Sequence, residues 1–231
     1  MEPSVAQQRL LDAAVDAFAE SGFGGTSTRD IATRAGRSPA AVYIHHESKE
    51  DLLFAVSIQG HIDSMECLRQ AAASSDDPAE RLHGMVYAYS RWHMVNAKLG
   101  RVVQYEFHAL TAEHRQEILA LRRQFQKVMV EAVLDGVHAG RFSVDDVAGT
   151  ARALLSLCID LARWFEPGPG RKVGAIADLN ANLALRIVNA RPSGAPRAAQ
   201  NRNPVKRPAK VSSRRGGAAA KATVQRKGTS K

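Results

Sequence analysis

Residues 26–53 read TSTRDIATRAGRSPAAVYIHHESKEDLL, and the reading of this stretch decides the fold. Thr28 has the residue type of a helix N-cap and precedes a short helical run, TRDIATRA, that stops before Gly36. Ser38 caps the next run, PAAVYIHH, with Pro39 in the first turn, where its fixed φ suits a helix and its missing N–H is no loss. Ser48 then caps a longer helix from about Lys49 to Ala73, whose first turn carries Glu50 and Asp51 against the helix dipole. Two short helices across a tight turn, the second opening on the small residues Ser38, Ala40 and Ala41, have the shape needed to lay a helix end beside base edges in a major groove. Thr28 offers a hydroxyl and free backbone N–H groups to a phosphate. Tyr43, His45, His46 and Lys49 have the reach and polarity for flanking phosphates.

Upstream, Leu10, Ala14, Ala17 and Phe18 fall on one face of a helix over 5–21, and GFGGT breaks it at Gly22. With this addition the segment closely resembles the DNA-binding part of the TetR family of regulators. LLDAAVDAFAESGFGGTS matches the first helix and glycine turn of that family. Thr28, Ile31, Ala32, Ala35, Gly36, Ser38, Tyr43, His45, Lys49 and Leu52 fall where its pattern places those residue types. The resemblance implies a three-helix helix-turn-helix domain over 1–49, acting as a two-fold dimer on a palindromic double-stranded DNA operator. The chain departs from the pattern at Arg37, usually aliphatic, at Ile44 and His46, often aromatic, and at Glu47, which adds negative charge. Arg37 reads either as a further DNA contact or as a solvated turn residue.

Downstream the pattern stays helical, with no period-2 stretch of useful length, so the fold class is all-α. Pro78 opens a helix to about Lys98 with Leu82, Met85, Val86, Tyr89 and Trp92 as its apolar stripe. A short helix near 101–110 follows, then a long one over 112–138 that Gly140 ends. Asp145 and Asp146 open a helix reaching Phe165, the PGPG of 167–170 stops it, and a last helix spans about 172–190 with Ile176, Leu179, Leu183 and Ile187 in line. The resemblance implies that residues 50–190 form one helical ligand-binding and dimerisation domain. Its last two helices are richer in apolar surface than a lone helix needs, and the resemblance implies that they pair with their symmetry mates as a four-helix bundle.

The net charge of +9 does not describe the helical body. Residues 191–231 hold 12 of the 32 basic residues and none of the 23 acidic ones, leaving 20 basic against 23 acidic and a body near −3. This segment of Arg, Lys, Pro, Ala, Gly and Ser is too poor in large apolar residues to offset its ordering entropy and reads as a disordered basic tail. It serves either as an auxiliary grip on DNA or as a solubilising extension. An architectural nucleic-acid binder driven by KRPAK, SSRR and QRK is the rival to the helix-turn-helix reading.

A sensing pocket is expected among the middle helices. Met85, Tyr89, Trp92, Tyr105, His108, Phe125, Met129 and Trp164 are the candidates, each as a ligand contact or as ordinary core. RVVQYEFHALTAEHRQEILALRRQFQ (101–126) and LCIDLARWFEPGPGRKVGAIADLNANLAL (157–185) further resemble TetR regulators of fatty-acid and steroid-ring catabolism that respond to acyl-CoA thioesters. That resemblance implies that Arg163 meets a phosphate and Trp164 stacks in the CoA portion; the plain alternative is an ion-paired surface arginine and a packed tryptophan.

An enzyme is disfavoured by the lack of HExxH, Walker and GxSxG patterns. GFGGT follows a helix, which removes the phosphate-loop reading of its glycines. No cofactor and no metal site is expected, although His93, His108 and His114 are free to meet in space. Cys67 and Cys158 read as reduced, buried thiols. The N-terminal 18 residues lack the basic and apolar regions of a signal peptide, and no apolar run reaches membrane length, so a cytoplasmic protein without membrane contact is expected.

Overall fold

The computed structural model describes residues 4–44, 46–166, 168–170 and 172–192. Among these residues there are ten α-helices and one 3-10 turn, and no strand. In order they are α1 (Val5–Gly25), α2 (Thr28–Arg34), α3 (Pro39–Tyr43), α4 (Lys49–Ala72), α5 (Pro78–Val95), α6 (Ala97–Tyr105), the 3-10 turn Glu106–Ala109, α7 (Ala112–His138), α8 (Val147–Ile159), α9 (Leu161–Trp164) and α10 (Val173–Ile187). The all-α reading of the sequence holds. Its basic tail falls, from residue 193 on, outside the described residues.

The first helices follow from their caps. Ser4 and Gln7 form a capping box at the start of α1. Gly22, at φ 69, interrupts the helix inside its last turns. The cap of α2 is Ser27, not Thr28: its hydroxyl accepts from the Asp30 N–H, and the Asp30 carboxylate accepts in return from Ser27. Both residue types cap well, but only Ser27 has a carboxylate three residues on. Gly36, at φ 65, turns the chain out of α2 while the Arg37 N–H reaches back to the Ala32 carbonyl. Ser38 caps α3, as read, but α3 ends at Tyr43. One further bond, from His46 N–H to the Val42 carbonyl, carries the coil slightly past it.

Two cores result. Leu10, Phe18, Ile31, Val42, Leu52 and Val56 bury one another in the N-terminal part, and Val102 of α6, Leu110 after the 3-10 turn and Ile118 of α7 enter the same cluster. The larger core joins α4, α5, α7, α8 and α10 through Leu68, Leu82, Met85, Met129, Leu154 and Ala181. A third cluster seats Phe165, Leu161 and Met94. The helix expected over 145–165 is broken at Asp160. There the Arg163 N–H bonds back only three residues, which turns Leu161, Ala162 and Phe165 inward.

In α10 the inward face is Ala177, Asn180, Ala181 and Ala184, small enough for α5 to lie close. The in-line Leu179 and Ile187 are instead 56% and 44% exposed. Asn180 lies buried and donates to Ser90 Oγ, which donates to Cys158 Sγ. Both cysteines are free; Cys158 is buried, whereas Cys67, expected buried, is only half-buried. Among the described residues no helix is long and apolar enough to cross a membrane.

Candidate functional site

The first candidate surface is the outer side of α2, α3 and the turn between them. Arg37, Ser38 and Ala40 are exposed there, Ala41 and Thr28 are half-buried, and Tyr43 is exposed. The Ser38 hydroxyl accepts from the Ala41 N–H and fixes the start of α3. The Tyr43 hydroxyl lies 3.0 Å from Thr28 Oγ1, so the two short helices are tied by their polar tips on the exposed side. That bond holds the phenol at the rim of α3.

Two of the expected phosphate contacts are engaged within the fold. The Lys49 ammonium donates to the carbonyls of Phe23 (2.6 Å) and Thr26 (2.7 Å) and sits 4.2 Å from the Phe23 ring centroid. It closes the C-terminal end of α1, where helix carbonyls lack partners and the dipole is negative. His46 is turned toward Asp51, with Nδ1 3.5 Å from the carboxylate. His45 lies outside the described residues.

The second candidate is a cavity of about 480 Å³ bounded by α4, α5, α6, α7, α8 and α9. Of the residues expected there, Tyr89, Trp92, Phe125, Tyr105 and Arg163 line it. Met85 and Met129 do not: both are fully buried in the main core. The 3-10 turn holds His108 exposed and away from the cavity, and Trp164 is 48% exposed and packs edge-on against Phe165. The α8–α9 break causes the latter, since it turns Phe165 inward and leaves its neighbour outside.

The inner wall is aromatic. The Tyr89 ring stands 5.6 Å from Phe125 and 4.4 Å, edge-on, from His93, and His61 stands 6.0 Å, edge-on, from Phe125. The exposed residues at the open end are polar: Tyr105, Arg152, Ser156, Asp160 and Arg163. Arg163 is held by Asp160 in a two-pronged pair at 2.7 and 3.1 Å. That pairing holds the Asp160 carboxyl below its ordinary range. Arg152 makes no ion pair with any described residue. Arg101 lines the cavity while donating to the Ala162 carbonyl, and Arg122 does so while lying 4.4 Å over the Phe107 ring.

Sequence reading missed His61, Arg101, Arg122 and Arg152, and weighed His93 only as a metal ligand. The histidines had a signal: each interrupts an apolar stripe at helical spacing, His93 four residues after Tyr89 and His61 seven before Leu68. A polar residue on a buried face has to find a partner or a ligand. The arginines had none, because only the tertiary fold brings α6, α7 and α8 to one opening. Among the described residues no group of three His, Cys, Asp or Glu side chains is placed to hold a metal ion. His114, one of the three histidines free to meet in space, instead pairs with Glu50 at 2.9 Å and stacks on Phe54 at 3.7 Å, tying the start of α7 to α4.

Comparison with known proteins gives a consistent result. The family model described as "Bacterial regulatory proteins, tetR family" matches residues 10–56, and "Tetracyclin repressor-like, C-terminal domain" matches residues 75–188. The chain is 30% identical over 181 residues to the HTH-type transcriptional repressor KstR2 of Rhodococcus jostii, covering 76% of this chain and 87% of that one. A crystal structure of a tetR-family regulatory protein from Rhodococcus RHA1 is 37% identical and superposes with a TM-score of 0.77 over 82% of this chain and all of its own. The structure of the ketosteroid transcriptional regulator KstR2 of Mycobacterium tuberculosis, 25% identical, gives a TM-score of 0.72 over 80% of this chain and 95% of that chain.

Proposed function

The chain belongs to the TetR family of transcriptional regulators, and on that premise we propose that it is a repressor whose homodimer holds a palindromic operator and is released by an acyl-CoA-type or other small apolar effector. Residues 1–49 act as the reading head, 50–190 as the sensing and dimerising body, and the basic segment 191–231 as an auxiliary grip on DNA in the cytoplasm. Arg37, Ser38, Ala40 and Ala41 present α3 to the major groove. Thr28, Tyr43 and His45 serve the flanking phosphates, while Lys49 fixes α1 against α4 and His46 faces Asp51 beneath them. A single head of this size binds weakly, so two heads spaced by a dimer, with half-sites one or more helical turns apart, are required. The apolar Leu179, Leu183 and Ile187 face of α10 is the dimer surface in this reading, with α8 beside it.

The observation that carries the effector class is the cavity's division into two chemistries. Its inner wall of Tyr89, Trp92 and Phe125 suits an apolar acyl or ring body. Its rim holds Arg101, Arg152 and Arg163, and an arginine fork suits phosphate. The Asp160–Arg163 pair opens toward an incoming phosphate in this reading. A relative described as a ketosteroid regulator supports a lipid- or steroid-derived effector. Release follows only if the effector favours one spacing of the heads over the other.

The experiment is a footprint of the purified protein on DNA flanking its own gene, near physiological salt, with and without a mixed acyl-CoA pool. A discrete palindromic footprint that fades with the pool is expected. A footprint indifferent to the pool removes the acyl-CoA reading and leaves the regulator. Diffuse, salt-sensitive protection alone removes the site-specific reading.

A further inference from the structure

His61 and His93 stand on neighbouring helices, α4 and α5, and both line the cavity. Each is almost fully buried, at 7% and 5% exposure. His61 Nδ1 lies 2.7 Å from the Ser57 carbonyl, and His93 Nδ1 lies 2.9 Å from the Tyr89 carbonyl. A carbonyl oxygen has no proton to give, so Nδ1 is the protonated nitrogen in both rings. In a neutral imidazole the other nitrogen is then a bare acceptor. Neither Nε2 has a hydrogen-bond partner among the described residues, neither is a sealed polar atom, and both rings line the cavity.

From this geometry we propose that His61 and His93 form a paired acceptor site, and that the preferred effector carries a hydroxyl on its apolar body. The proposal deepens the effector reading above and rests on its assignment of the cavity as the effector site. Burial keeps both rings neutral: it lowers each pKa from 6.5 to about 4, against the raising effect of the backbone hydrogen bond. The Tyr89 hydroxyl, on the same buried wall, is a donor. An alcohol meets this set on both counts, giving its proton to an Nε2 and accepting from a donor. A ketone can only accept and leaves both imidazoles unpaired, while a saturated chain leaves every group unpaired. A site built to bond a hydroxyl discriminates strongly against analogues lacking it, because its own buried polar atoms then stay unsatisfied.

The test is calorimetric titration of the full chain with two matched sets. One set holds medium-chain CoA thioesters: saturated, hydroxylated near the chain end, and with a ketone at that same carbon. The other holds a free steroid alcohol and its ketone. The alcohol is expected to bind roughly 10-fold or more tighter than its partners in at least one set. His61→Phe and His93→Phe are each expected to shrink that preference, most at the ring that takes the hydroxyl proton, and to tighten the saturated or ketone member, because the nitrogen it left unpaired is gone. His61→Gln and His93→Gln, which keep an amide oxygen near the Nε2 position, restore part of it. If the Phe variants fail to fold by circular dichroism, the wild-type ratio and the Gln variants decide. Equal affinity within both sets, a ketone preference, or a preference that survives both Phe variants overturns the acceptor site alone. Silence of all thioesters with tight binding of the free alcohol supports the site and overturns the CoA reading. No binding of any compound overturns the cavity as effector site, and the acceptor site with it.

Discussion

Lys49 makes its bonds at the end of α1, and this fixes what its substitution does. Two short bonds to carbonyls and a ring beneath the ammonium are charge-assisted contacts at the negative end of a helix dipole. Lys49→Met is expected to lower stability by about 2 kcal/mol, the scale for losing hydrogen bonds to a charged group. Had Lys49 acted as a phosphate contact, the salt dependence of operator binding would lose nearly one counterion. The expected result is a lowered Tm with an unchanged salt slope, read from a melt and a binding series at several salt concentrations. The cavity histidines give a second residue-scale prediction. They titrate near 6.5 when unfolded and about 4 in the fold, chiefly through desolvation, with Arg122 adding to the effect at His61 and His61 at His93. Between those values the unfolded chain binds more protons, so stability rises with pH. The contribution is fully present above about pH 6.5 and is lost as pH falls toward 4, by roughly 3 kcal/mol for each ring at the limit. Melts stepped from neutral to about pH 4.5 should show Tm falling through this window. His93→Phe should make the fall shallower, and an equally steep fall would remove His93 from the account.

At the scale of elements, periodicity showed where helices lie but not which face each one buries. The caps Ser38 and Ser48, the glycine breaks and α7 (Ala112–His138) were legible, because those signals are local. The inward face of α10 was not. Ile176, Leu179, Leu183 and Ile187 outweigh alanines on any hydrophobicity scale, yet Ala177, Ala181 and Ala184 are the residues at 0% exposure. Close helix packing selects small residues, and a large apolar line on the far side then calls for a partner. The same limit explains the cavity. Met85 and Met129 read like pocket residues but fill the core, while histidines within apolar stripes line the space. Gly136 is a further case in which packing overrides local preference. Inside a helix, Gly→Ala normally stabilises by up to about 1 kcal/mol. At Gly136 of α7, however, an added Cβ would fall within the Phe142 ring, which is itself buried beside the main core. Gly136→Ala is therefore expected to destabilise by about 2 kcal/mol, the scale of an overpacked core. Denaturant unfolding measures this, and a variant as stable as the parent would mean that the Phe142 ring moves aside freely.

For the whole molecule the question is how a body near −3 holds DNA specifically while a segment of 12 basic residues follows it. In the proposed arrangement the dimer supplies specificity, since two heads on one palindrome add their base contacts at fixed spacing. Leu179→Glu, on the exposed apolar face of α10, should therefore yield a monomer by sedimentation and abolish the discrete footprint with the fold intact. A variant still dimeric would move the dimer surface elsewhere. In the same proposal the basic segment contributes a different kind of energy. Each lysine or arginine that neutralises a phosphate releases a counterion, so its contribution falls steeply with salt and carries no sequence information. Deleting residues 191–231 should thus weaken operator and random DNA by similar factors at low salt and make both salt slopes shallower. The footprint boundaries should stay where they are, because the residues proposed to face base edges, Arg37 to Ala41, are untouched. If the discrete footprint vanishes with the segment even at low salt, the helix-turn-helix is not the specificity element and the architectural reading takes its place. If affinity is unchanged at every salt concentration, the basic segment has no part in DNA binding, and its role as an auxiliary grip is withdrawn.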